Sequence, residues 1–208
     1  MYRSRLGNDL SNITLDYVSS IDDETAIILF DILGSQAHVL MLKENKIITK
    51  NDAKKILTSL ESLKNEKFDL SSNAEDIHEL IESLVIKKAG MASGGKMHTA
   101  RSRNDQVTLD IRMKIRNDIN ILCTCLLDTI ESLVSLAQNH QKTIMPLYTH
   151  LQQAQAGLFS HYLLAHADAL FRDFERLFDA YVRVNESPLG VMPFRFVKTC
   201  FFSKELFP

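Results

Sequence analysis

The chain has 208 residues, enough to bury a core in one or two domains, with ordinary apolar content, a formal net charge of −2 and no block of like charges. That balance excludes a basic nucleic-acid footprint and a cationic membrane-binding face, and leaves acidic small molecules open as ligands. Three cysteines, two of them in Cys123-Thr-Cys125 inside a helical pattern, give neither a disulfide framework nor metal-ligand spacing and read as reduced core thiols.

The opening residues, MYRSRLGNDLS, lack the apolar run of a signal peptide, and no stretch approaches the length of a transmembrane span. A cytoplasmic protein is expected, and the sequons at Asn12 and Asn185 are then chance matches. Residues 1–20 are polar and irregular. From about Asp22 to Lys43, Ile27, Ile28, Phe30, Leu33, Ala37, Leu40 and Leu42 predict a helix with buried faces. Gly34-Ser35 in its middle costs about 1 kcal/mol relative to alanine and points to close packing against another helix. Thr49-Lys-Asn-Asp52 forms a capping box before a stripe of Ala53, Ile56, Leu57, Leu60 and Leu63. Ser72-Asn-Ala-Glu75 reads as a second box, opening a helix with Ile77, Leu80, Ile81, Leu84 and Val85 inward and Lys87, Lys88 and Gly90 as stop signals. By itself His78, in its first turn, reads as a surface or packing residue.

Between two helical segments, Gly90 to Asp110 concentrates glycines with Lys96, His98, Arg101, Arg103, Asn104 and Asp105. Glycines let backbone approach a ligand, and Lys96, Arg101 and Arg103 are donors suited to carboxylate or phosphate. A solvated interhelical loop is the competing reading. Gly90 to Lys96 fits seven positions of a P-loop, but Met97 stands where Ser or Thr must reach magnesium and a helix, not a strand, precedes it. Nucleotide binding is therefore set aside.

Apolar residues then recur from Val107 through Leu136 without Gly or Pro, which predicts a helix of about 50 Å at 1.5 Å per residue. Pro146 lies in the break, Leu147 to Gln155 leads into another long helix through Tyr181, and that helix ends at Asn185 to Gly190. No strand pattern is apparent, so the fold class is all-α. Two helices of this length have more apolar face than one neighbour covers, so further helices are expected from other chains or from another part of the protein.

With these junctions in view, the sequence resembles the argininosuccinate lyase family of the fumarase and aspartase superfamily. The motifs are Asp76-Ile-His78, the run Lys96-Met-His-Thr-Ala-Arg-Ser-Arg-Asn-Asp-Gln-Val107 and Tyr148-Thr-His-Leu-Gln-Gln-Ala-Gln155, supported by Ser19-Ser20-Ile21, Asp31 with Gly34-Ser35, and Arg172 to Leu177. The resemblance implies an anti β-elimination that splits argininosuccinate into fumarate and arginine, with no metal and no organic cofactor. It implies His150 as the catalytic acid/base residue, Ser20, Arg103, Asn104 and Thr149 as substrate-binding residues, His98 in the wall of the site, and Gln152 and Gln155 as hydrogen-bonding groups on a helix face. It also implies a homotetramer as the full-length form, with argininosuccinate as partner and neither nucleic acid nor membrane. The expected division is an N-terminal helical domain over 1–97, the first helices of a central bundle over 98–190, and an aberrant tail over 191–208.

Departures from the family pattern are Ala100 and Leu147 where it has glycine, Ala156 where it has proline, and Tyr2-Arg-Ser-Arg-Leu6 in place of Trp-Gly-Gly-Arg-Phe. After Gly190 the chain runs VMPFRFVKTCFFSKELFP, with five of the eleven phenylalanines, and reads as a shifted frame or a truncated product. The family's serine loop would then be absent and the chain inactive alone. The competing readings are a non-catalytic fragment of the same fold and a sister enzyme such as adenylosuccinate lyase, against which the Ser-Arg-Asn-Asp-Gln run argues.

Overall fold

A computed structural model describes residues 20, 24–68 and 74–189; Ser72 of the second predicted capping box, Tyr2 to Leu6 and the tail from Gly190 lie outside them. The described residues form two compact units, one running to Lys114, the other spanning Ile115–Glu186. The fold class is all-α, and the described residues add one small hairpin to it.

In the first unit a short 3₁₀ turn, Thr25–Ile27, leads into α1, Ile28–Glu44. α2, Lys50–Leu63, starts where the sequence predicts: the Asp52 N–H donates to Thr49 Oγ1 at 3.1 Å, and the Thr49 hydroxyl donates to Asp52 Oδ2 at 2.8 Å. α3, Ile77–Ala89, begins later than the predicted box. Its cap is Asp76, which accepts from the Glu79 N–H at 2.6 Å, while the Glu79 carboxylate accepts from the Glu75 N–H at 2.8 Å. This is close to a capping box displaced along the chain, except that the Glu79 carboxylate takes the amide before the cap rather than that of Asp76 itself. Glu24 takes a further free amide, that of Ile77, at 2.9 Å.

Gly90, at φ 82°, ends α3 as predicted and feeds a single turn, α4, Met91–Gly94. The core is built where α1, α2 and α3 meet: Ile32, Val39, Leu42, Ile56, Leu60, Leu63, Ile77, Ile81, Val85 and Met97 are fully buried. The first turns of α5, Arg103–Asn139, belong to this unit as well.

The second unit holds the rest of α5, the hairpin and α6, Phe159–Val184. The expectation that no strand occurs is corrected here: β1, Ile144–Thr149, pairs antiparallel with β2, Gln152–Leu158. Pro146 and the glutamine-rich run hid the alternation, and most of the hairpin is exposed, so it carries no apolar-in, polar-out signature. Tyr181 accepts from Arg116 at 2.9 Å and lies under its guanidinium, and His140 meets Phe159 edge-on, so α5 and α6 run antiparallel in this unit. Ile119, Ala137, Leu163 and Ala167 are buried there, whereas Ile121, Leu122, Leu127, Phe171 and Phe178 are exposed. Cys125 is exposed and Cys123 half-buried, so neither is the core thiol that the pattern suggested.

Two helical stretches, Thr25–Glu44 and a window of Arg103–Asn139, are long and apolar enough to cross a membrane by length and composition, contrary to the sequence reading. The first is half buried and packs Asp31, Ser35 and His38 into the first unit, as a core helix does.

Gly94 is the tightest point of the first unit. A Cβ there would lie 2.7 Å from the Ile86 Cα and 3.1 Å from its amide nitrogen, both backbone atoms that cannot swing away. Gly94→Ala is expected to cost about 1–3 kcal/mol, read as a lower midpoint in denaturant unfolding; an unchanged midpoint would show that α3 and α4 are not held this closely.

Candidate active site

Beside the core, the first unit carries a buried polar cluster. Asp31, Ser35 and His38 sit four and three residues apart on α1, hence on one face, and all are buried. His78 comes from the first turn of α3, Gln106 and Asp110 from α5, and Arg101 from the loop before α5. Gly34 lets α1 and α5 approach: a Cβ would meet Leu109 Cδ2 at 3.2 Å and Asp110 Oδ1 at 3.3 Å. This is the helix packing that Gly34-Ser35 predicted.

Asp31 is the hub. Its Oδ1 lies 3.1 Å from His78 Nδ1 and also accepts from Gln106 Nε2. Since a carboxylate only accepts, His78 Nδ1 carries the hydrogen. Arg101 donates from both terminal nitrogens to Ser35 Oγ at 3.2 Å, and His38 Nε2 donates to the Thr99 carbonyl at 2.9 Å.

Burial alone would raise Asp31, but the hydrogen bond and charge of His78, with Arg101 and Gln106, bring its carboxyl below the ordinary value. Asp110 goes the other way, pushed up to about 9 by burial and by the Asp31 charge. As a carboxylate it finds no donor for either oxygen among the described residues; as an acid it donates to Asp31. The two therefore hold one proton and one charge, which Arg101 balances.

Asp31, His78 and Asp110 place donor atoms within 4.8 Å of one another, a spacing that a cation could bridge. The Gln106 N–H and the Arg101 charge already serve these carboxylates, so a shared proton fits the donor set better than a metal ion.

The predicted site residues fall in both units. Ser20 donates to Glu24 Oε1 at 2.8 Å, and its amide bonds the Glu75 carbonyl at 3.2 Å. Arg103, a third exposed, donates to Gln106 Oε1 at 3.1 Å and faces Glu82 at 3.5 Å and Asp76 at 3.7 Å; Asn104, the next residue, is exposed. Two other cations do not stand free for a ligand, as the composition of the loop suggested. Arg101 is buried on Ser35, and Lys96 donates to Asp52 at 2.7 Å. Lys96, Ser93 and Thr49 together hold the Asp52 carboxyl well below the usual range and tie the glycine loop to the start of α2. His98, the predicted wall residue, is pushed down to about 4 by burial and by Arg101 and Arg103.

Thr149 and His150 lie in the second unit, at the end of β1 and in the two-residue turn of the hairpin. His150 and Leu151 both have left-handed backbone, φ 48° and 64°, as a type I′ turn demands. The turn favours Asn-Gly; here it holds a histidine and a leucine that is 93% exposed. Gln152 and Gln155, predicted on a helix face, are exposed on β2. Asp31, Gln106 and Asp110 were missed as a group, although Asp31 and Gln106 both lie among the residues that carry the family resemblance.

A family described as lyase matches residues 16–191. The chain belongs to this lyase family. It is 80% identical over 193 residues to an argininosuccinate lyase of Nitrosopumilus maritimus, covering 93% of the chain and 40% of that protein. It is 48% identical to an argininosuccinate lyase of Methanothrix thermoacetophila, covering 92% of the chain and 39% of the relative. The lyase chain thus spans about 40% of the length of the curated relatives it matches. Among solved structures, an EDDS lyase variant with bound fumarate superposes with a TM-score of 0.76 at 28% identity, over 86% of the chain and 35% of that protein.

Three outcomes follow for this lyase chain. His38, pushed down to about 3 by burial and by Arg101, and His98, at about 4, stay neutral where the unfolded chain takes up protons, so their stability contribution is lost as pH falls below about 6.5. Asp110 holds a proton that an unfolded aspartate, at 3.8, has released, so its contribution is full below 3.8 and is lost as pH rises through about 9. Thermal unfolding of Asp110→Asn, whose amide still donates to Asp31, should lose less stability than the parent between pH 6 and 9; parallel curves would refute the shared proton. Leu151→Gly should raise stability by up to about 1 kcal/mol by removing the left-handed penalty, and a lower unfolding midpoint would mean that the turn is not strained.

Proposed function

We propose that the chain supplies part of an argininosuccinate lyase active site, which splits argininosuccinate into fumarate and arginine by anti β-elimination. The observation that carries this reading is the 80% identity to the Nitrosopumilus maritimus argininosuccinate lyase across 93% of the chain. In this reading residues 1–97 are the N-terminal domain, 98–190 the first part of a central bundle, and the setting is a cytoplasmic homotetramer. The exposed Ile121, Leu122, Leu127, Phe171 and Phe178 support assembly, since faces of this kind are covered in a finished helical bundle.

The chemistry accounts for the residue types. Taking a proton from the carbon beside a carboxylate moves negative charge onto the carboxylate oxygens, which cationic and amide donors stabilise most where the charge develops. Arg103 and Asn104 are such donors, adjacent at the start of α5. Thr149 adds a hydroxyl donor, and Ser20 would add a second once its hydroxyl turns from Glu24. His150, on an exposed turn, is the acid/base residue in this reading.

Fumarate release from argininosuccinate, followed by ultraviolet absorbance, tests the reading. Release is expected from this chain completed with the remaining portion of the Nitrosopumilus maritimus relative, reduced about 10²- to 10⁴-fold by His150→Ala, and none is expected from the 208-residue chain alone. No release by the completed protein would overturn the function. Equal release by the short chain would overturn the need for the remaining machinery.

A further inference from the structure

Gln106 is 1% exposed, yet it makes contacts that belong to the site rather than to the core. Its Oε1 accepts from Arg103 NH1 at 3.1 Å, and its Nε2 donates to Asp31 Oδ1. These partners fix the amide's orientation, because a guanidinium only donates and a carboxylate only accepts. Asp31 is in turn bound by His78 Nδ1 at 3.1 Å, with Asp110 Oδ2 3.5 Å from the same nitrogen. Arg103 and Gln106 are three residues apart on the first turn of α5 and so share a face.

The other acceptors of Arg103 are farther off, at 3.5 Å on Glu82 and 3.7 Å on Asp76, and their side chains are 20% and 26% exposed. Among the described residues Gln106 thus makes the one contact of ordinary hydrogen-bond length that holds this guanidinium, and makes it from inside the protein. A flexible arginine between two partly solvated carboxylates would sample many rotamers; one bonded to a buried amide does not.

We propose that Gln106 is a positioning residue, an amide that locks the Arg103 guanidinium to the buried Asp31–His78–Asp110 cluster and so fixes the direction in which Arg103 meets a dicarboxylate ligand. The ligand part of this inference rests on the proposed function; the locking of Arg103 does not. Asn104 follows Arg103 in the same helical turn, so a misdirected Arg103 also spoils the pairing of those two donors.

The test uses the 208-residue chain, ¹⁵N-labelled, with Gln106→Leu and Gln106→Asn, the second keeping polarity while falling one methylene short of bridging both partners. Slowed rotation of the Arg103 guanidinium, seen as resolved terminal N–H signals, is expected in the parent and averaged signals in both variants. Fumarate, as probe, should bind about tenfold more weakly to either variant, the scale of losing a hydrogen bond to a charged group. Combining Gln106→Asn with Arg103→Lys should add nothing further, since both break one linkage. Unchanged Arg103 signals in a folded variant, or additive losses in the double variant, would overturn the proposal. A parent that shows the locked Arg103 without binding fumarate would overturn the dicarboxylate assignment, while the positioning role would stand and the lyase function would be decided by fumarate release from the completed protein. A variant that shifts only the unfolding temperature would mark Gln106 as a packing residue and overturn it as well.

Discussion

The first unit depends on one buried carboxylate, that of Asp31. Fully removed from water, it is tolerable only because His78 and Gln106 donate to it, Arg101 supplies opposing charge, and Asp110 stays protonated beside it. Those partners come from three stretches: α3, the start of α5 and the loop before it. The charge therefore does what an apolar contact does not, specifying which helix faces which at the level of single atoms. The apolar core of α1, α2 and α3 supplies most of the burial; the polar cluster decides the register in which α5 joins it.

The same cluster explains why the motif around Arg103 is so densely polar. Its residues divide between two tasks that composition cannot separate. Arg101 is buried on Ser35 and Lys96, though exposed, is tied to Asp52, whereas Arg103 and Asn104 stand at the start of α5, Asn104 exposed and Arg103 partly so. A loop read as a uniform anion cradle is in fact a structural knot with a short, more exposed edge.

Much of the fold was legible in the sequence because it obeys local rules: the Thr49 cap, the stripe of Ile56, Leu60 and Leu63, the stop at Gly90, and an uninterrupted α5. Gly34 was legible as a contact point for the same reason, since a mid-helix glycine needs one. The hairpin was not, because its alternation has no buried side to enforce it and Pro146 reads as a break. Among the candidate site residues, His150 and Asn104 stood out only through the motif resemblance. The Asp31–Gln106–Asp110 group was hidden because its members lie 75 and 4 residues apart and meet only when α1 crosses α5.

The hairpin is anchored where the Phe159 amide bonds the Thr143 carbonyl at 2.9 Å, so its two ends are tied to each other at the junction with α5 and α6. A loop this short costs little entropy to close, and its register is set by its own ladder and its bulge at Leu147/Tyr148. The shape of the tip is thus a local property, encoded within the loop itself. Evolution could then alter the surroundings of His150 and Thr149 wholesale, exchanging whatever they face, without having to rediscover how to present them.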